Sequence, residues 1–391
     1  MKITHLLFVP LILFTAVGCA NAQPTLKDAF KNQFRVGAAI NEAQFFETKS
    51  NEVAIIQKQF NTITPENVLK WEVIHPLRDQ FNFTPGDGYV AFGGKNKMFT
   101  IGHTLVWHSQ TPNWVFEKAD GSPADRATLL NTMSNHIATV VGRYKGRVQG
   151  WDVVNEALSD NGSLRQTKWL KIIGEDYLVK AFEFAHAADP DAELYYNDYA
   201  LENPAKRDGA VALVKKLQVA GVHVTAIGSQ THARMDWPTT GQLAAMLSAF
   251  EKLGVKVNIT ELDLDVLPAA SGSHSADVGL KVAQNPKLNP YPQGLPAAMQ
   301  SALAQRYAEL FAVFNQHSAA VDRVTFWGVT DANSWLNNWP VHGRTSYPLL
   351  FDRAGKPKLA YLSVIKTAAS EKSAALKKSP ATSIAAIRPP E

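Results

Sequence analysis

Residues 151–158 read Trp151-Asp152-Val153-Val154-Asn155-Glu156-Ala157-Leu158, an apolar run of strand character that ends on an amide and a carboxylic acid. An acid in so apolar a setting costs free energy unless something uses it. A second stretch repeats the pattern, Val257-Asn258-Ile259-Thr260-Glu261-Leu262. Runs of this kind recur along the chain, each followed by a longer segment of helical periodicity, the alternation expected of a parallel sheet with crossover helices. Eight of them lie near Val36–Ile40, Asn61–Thr64, Phe99–Val106, Val148–Val154, Glu193–Tyr196, Val224–Ser229, Val255–Thr260 and Arg323–Val329. The helical segments are Glu42–Gln59, Pro85–Asn96, Ala124–Tyr144, Lys168–Ala188, Pro204–Ala220, Thr240–Leu253, Leu295–His317 and Pro357–Ala369. Eight strand–helix repeats predict an α/β chain, a single-domain (β/α)8 TIM barrel, and one such barrel with its loops accommodates 391 residues. An open doubly wound sheet is the competing arrangement, because alternation alone does not fix closure.

Outside this body, residues 1–22 read as a secretory signal. Lys2 supplies the positive start, Leu6 to Val17 the apolar stretch, and Ala20-Asn21-Ala22 a small-residue cleavage site before Gln23. Secretion or periplasmic export follows, without stable membrane association once the signal is removed. An uncleaved anchor is disfavoured by the short apolar run. Lipoprotein processing at Cys19 is disfavoured because Ala16 stands where a Leu is usual. Cys19 is the only cysteine, so cleavage after Ala22 leaves no thiol for a disulfide or a metal. Residues 370–391, rich in Ser, Ala, Lys and Pro, read as a disordered tail after a catalytic domain of 23–369, and Pro268–Pro296 as a long loop over the active face. Of the formal net charge of +4, Lys2 carries one and the tail a net two, leaving +1 for residues 23–369. So neutral a body argues against nucleic acid as partner.

Unusual polar residues collect where the runs end: Glu66, Asn67 and Lys70 after the second, His103, Trp107, His108 and Gln110 at the third, Asn155-Glu156 at the fourth and Asn197-Asp198-Tyr199 at the fifth. The sixth ends in Gln230 and His232, the seventh in Glu261 and Asp263, the eighth in Trp327 and Asp331. A barrel builds its active site from such strand ends. Either glutamate alone could cap a helix or pair with a lysine. Two of them, with amides and tryptophans at the other strand ends, suit glycoside hydrolysis: one carboxyl to protonate the leaving oxygen, one to meet the anomeric carbon. Spacing along the chain leaves retention and inversion both open. Trp71, Trp151 and Trp169 read as packing. No His-Glu-x-x-His pattern occurs and the histidines are scattered, so no metal and no cofactor is expected.

Trp151 to Leu158, Gly102-His103-Thr104-Leu105-Val106-Trp107-His108, Ser229-Gln230-Thr231-His232, Ile259-Thr260-Glu261-Leu262-Asp263 and Trp327-Gly328-Val329-Thr330-Asp331 with Trp335 together resemble glycoside hydrolase family 10, the β-1,4-xylanases. The likeness spans Phe34 to Tyr361. It implies a retaining double displacement with Glu156 as acid/base and Glu261 as nucleophile. It also implies that Asn155 bonds the sugar 2-hydroxyl, and that His232, held by Asp263, bonds Glu261. Glu66, Asn67 and Lys70 would bind the second sugar on the non-reducing side, while His103, Trp107 and Gln230 line the cleavage subsite. Trp327 and Trp335 would cover these sugars and leave little room for the hydroxymethyl group that distinguishes glucose from xylose, and Tyr199 would meet the leaving-group side. The implied partners are xylan and xylooligosaccharides, acted on by a monomer.

Overall fold

The computed structural model describes residues 24–270 and 276–378. Its strands are β1 (Arg35–Ile40), β2 (Thr62–Pro65), β3 (Phe99–Val106), β4 (Gly150–Asn155), β5 (Glu193–Asp198), β6 (Ala226–Ser229), β7 (His232–Arg234), β8 (Lys256–Asp265) and β9 (Val321–Phe326). β1 to β6, β8 and β9 pair in parallel with their neighbours, and two pairings close the ring: β1 with β9 (Gly37 opposite Thr325) and β6 with β8 (Ile227 opposite Val257). This is the expected eight-stranded barrel, not the open sheet. Strand ends shift by a few residues from the sequence pattern, as when Arg323–Val329 becomes Val321–Phe326.

Every residue of β4 is buried, as are all but the two ends of β8. A parallel strand covered by helices on one face and by the barrel interior on the other has no solvent side, so it reads as a continuous apolar run. Gly102 on β3 stands opposite Trp151 on β4, and a Cβ there would fall 2.0 Å from the indole, so only glycine lets this ring lie across the neighbouring strand. Trp71, Trp151 and Trp169 are all buried, as their reading as packing residues requires.

β7 was not anticipated. It pairs with the far end of β8, His232 opposite Asp263, after β6 has paired with the near end, Ser229 opposite Ile259. The offset grows by one residue across Gln230-Thr231, where Thr231 takes φ of 52°. That bulge sets His232 against the outer end of β8, where the chemistry collects.

Two expected helices are each divided. Glu42–Gln59 becomes Glu42–Phe45 and Ser50–Gln59, and Lys168–Ala188 becomes Lys168–Ile173 and Tyr177–Ala188, the first piece ending at Gly174 with φ of 98°, where glycine terminates a helix without strain. The last helix, expected to stop at Ala369, runs Leu359–Lys378. Residues 379–391 and the whole signal segment 1–22 lie outside the described residues. Among those described, no helix is long and apolar enough to cross a membrane.

Candidate active site

The cleft at the strand C-termini is lined by Glu66, Asn67, Lys70, His103, Trp107, Asn155, Glu156, Gln230, His232, Glu261, Trp327 and Trp335, all expected from the sequence, together with Gln110, Ala276, Val278 and Asn333. Ala276 and Val278 belong to the long loop after β8, which therefore forms part of the wall.

Glu156 is the first residue beyond β4, with φ of 58° and its N–H donating to the Asn197 carbonyl at 2.8 Å. Trp107 Nε1 donates to its Oε2 at 2.9 Å and Gln230 Nε2 to its Oε1 at 2.9 Å, with Asn155 Nδ2 at 3.3 Å. Burial, reinforced by the neighbouring charges of Asp198 and Glu261, pushes its pKa up to about 7 against the pull of those donors. A carboxyl in this state is still partly protonated near neutrality.

Glu261, within β8, receives Asn197 Nδ2 on Oε1 at 3.0 Å and faces His232 Nε2 at 3.4 Å from Oε2. Burial opposes its ionisation, but the His232 hydrogen bond and nearby cations outweigh it and hold the pKa below the ordinary value. His232 is partly buried, which disfavours charge; Asp263 at 3.1 Å from Nδ1 and Glu261 overcome that and raise it to about 10. Asp263 Oδ2 takes the Trp335 indole N–H at 2.6 Å, completing a line Trp335–Asp263–His232–Glu261.

Asn197 joins the two acids. Its Nδ2 also donates to Asn155 Oδ1 at 2.9 Å, and its Oδ1 accepts Thr260 at 2.7 Å. Opposite it on β6, Gly228 leaves the space: a Cβ would fall 2.4 Å from that Oδ1. The sequence pattern placed Asn197 at a strand end without a role, because its partners come from β4 and β8.

On the other wall, Lys70 Nζ donates to Asn67 Oδ1 at 3.0 Å and Gln110 Oε1 at 2.8 Å and lies 5.1 Å from the Trp107 ring centre. Burial lowers its pKa against the pull of Glu261, Glu156 and Glu66. Glu66 is pushed up to about 7 by burial, partly offset by a donor from Asn41 at 3.3 Å and by Lys70. His103 Nδ1 is held by Asp152 Oδ2 at 2.9 Å, with its ring edge-on to Trp327.

Tyr199 and Asp331 are among the strand-end residues that sit elsewhere. Tyr199 does not line the cleft: it is buried against Ala200, Trp237 and Ala276, its hydroxyl accepting from Arg165 at 2.8 Å and its ring 3.3 Å from Lys206 Nζ. Asp331 is a buried brace, bonded to Leu349 N at 2.8 Å and Lys358 Nζ at 2.9 Å. No group of His, Cys, Asp and Glu among the described residues is arranged to hold a metal ion.

Two buried glutamates on one cleft lined by indoles, one with its pKa raised and the other with it lowered, suit acid-assisted displacement at an acetal carbon. The model of glycosyl hydrolase family 10 matches residues 25–367. The chain is 44% identical over 356 residues to an endo-1,4-beta-xylanase A of Xylanibacter ruminicola, covering 91% of this chain and 96% of that protein. It is 42% identical over 345 residues to a beta-1,4-xylanase of Dictyoglomus thermophilum, covering 88% and 91%. Among solved structures, a GH10 endoxylanase retrieved from a sugarcane soil metagenome superposes with a TM-score of 0.85 at 44% identity, covering 87% of this chain and 99% of that one.

Proposed function

The chain belongs to glycosyl hydrolase family 10 and is an endo-1,4-β-xylanase, and from that premise we propose that it cleaves xylan with retention, Glu261 attacking and Glu156 passing the proton. The observation that carries this reading is a pair of buried glutamates on one cleft in unlike surroundings, Glu156 bonded by the neutral donors of Trp107 and Gln230 and Glu261 faced by His232 with Asp263 behind it. Glu261 attacks the anomeric carbon as Glu156 protonates the departing oxygen, giving a glycosyl ester on Glu261. Glu156, now a carboxylate, takes a proton from water as that water displaces the ester and restores the anomeric configuration.

Asn155 bonds the 2-hydroxyl, a contact that strengthens as positive charge develops on the ring, and its tie to Asn197 supports that role. His232 and Asp263 keep Glu261 ionised and aimed. Glu66, Asn67 and Lys70 bind the next sugar, and His103, Trp107 and Gln230 wall the cleavage position. Trp327 and Trp335 close over the sugars and exclude a hydroxymethyl substituent, which favours xylose over glucose. Tyr199, buried behind the wall, supports the leaving-group side through Arg165 instead of touching sugar. We also infer export after cleavage at Ala22 and action as a monomer. Intact mass of the secreted enzyme, beginning at Gln23, and light scattering test these two.

The test of mechanism is direct. An activated 2-deoxy-2-fluoro xylobioside should inactivate the enzyme with the mass of one glycosyl group on the peptide carrying Glu261, and the first-formed anomer from xylooligosaccharides should be β by NMR. An α product, or label on another residue, overturns the assignment.

A further inference from the structure

Asn333 lines the cleft and no sequence pattern singled it out. It ends the turn Asp331–Asn333 after β9, its N–H donating to the Thr330 carbonyl at 3.2 Å, and the turn is pinned by the Asp331 brace. Its side-chain amide is oriented by a buried acid: Nδ2 donates to both carboxyl oxygens of Glu52, at 2.7 and 2.8 Å. Glu52 is fixed in turn by Gln44 Nε2 at 2.8 Å and Thr330 Oγ1 at 3.3 Å. Flipping the amide would set its oxygen against two acceptors, so the orientation is locked. Oδ1 occupies the other branch of the planar amide, and among the described residues no donor reaches it.

The same hydrogen bonds lead to the glycone wall. The Gln44 side chain accepts from Asn41 N at 3.0 Å, and the Asn41 side chain donates to Glu66 at 3.3 Å. Glu52 thus orients two groups that face the cleft from different loops. We propose that Asn333 is a specificity-determining residue on the glycone side, whose Oδ1 accepts a hydroxyl hydrogen from the sugar seated beside Glu66. It rests on the xylanase reading above. An acceptor locked in place favours a hydroxyl at that position and penalises a sugar lacking it.

The test compares an aryl β-xylobioside with the matching aryl β-xyloside, which has no sugar to reach that wall. In Asn333→Ala the ratio of kcat/KM, xylobioside over xyloside, should fall about three- to tenfold, the weight of one neutral hydrogen bond, and the loss should appear mainly in KM for the xylobioside. Glu52→Gln puts a donor where the amide of Asn333 needs an acceptor, so the same ratio should fall. Partial misfolding of either variant lowers both rates in proportion and leaves the ratio alone. A ratio equal to wild type in Asn333→Ala overturns this proposal while the xylanase reading stands. A wild-type enzyme that turns over neither substrate overturns both.

Discussion

Glu156 and Glu261 are the same residue type, both buried, in one cleft, yet their surroundings shift their pKa values in opposite directions. Around Glu156 the donors are neutral: an indole N–H, two carboxamides. They stabilise the anion, but not enough to offset burial and the nearby Asp198 charge. Around Glu261 an amide is supplemented by a cation, His232, kept charged by Asp263 behind it. Neutral hydrogen bonds orient a buried carboxylate; a full opposite charge is what keeps it ionised.

The largest test of this contrast removes the attacking group. Glu261→Ala should lower kcat on xylan by on the order of 10⁵-fold while oligosaccharide binding by calorimetry is retained; substantial residual turnover would mean another residue attacks. Glu156→Ala should cost about 10²–10⁴-fold on xylosides with poor leaving groups and far less on activated aryl xylosides, and equal losses on both would deny it the role of acid.

The pH profile probes the two surroundings separately. Glu156 must hold its proton, so the basic limb of kcat/KM should fall near pH 7. Glu261 must have lost its own, so it governs the acid limb. Asp263→Asn removes the charge that keeps His232 cationic; Glu261 then ionises less readily, and the acid limb should move up by about one pH unit. Trp107→Phe removes a neutral donor to the Glu156 anion, so the basic limb should rise by only about half a unit. A larger shift from Trp107→Phe than from Asp263→Asn would reverse the distinction between neutral donors and cations.

Much of this site was legible in the chain because β4 and β8 are covered on both faces and their apolar runs are broken by Asn155-Glu156 and Thr260-Glu261, so the acids stand out against apolar sequence. Residues whose role depends on a partner from another loop were not. Asn333 carries no mark until Glu52, on a helix after β1, is seen to orient it. Tyr199 looked like a cleft residue because it follows a strand end, but its hydroxyl and ring are taken up by Arg165 and Lys206.

The sequence by itself determined the alternation of strands and helices, the placing of polar residues at strand ends and the identity of the two acids, because each is written in local periodicity and in polar residues stranded among apolar ones. The tertiary structure decided closure of the barrel, the bulge that brings His232 to Asp263, the brace under Asn333 and which glutamate keeps its proton. These depend on which charges and donors packing brings within a few ångströms, and residues as far apart in the chain as Trp107 and Glu156, or His232 and Glu261, meet only when their neighbouring strands pair.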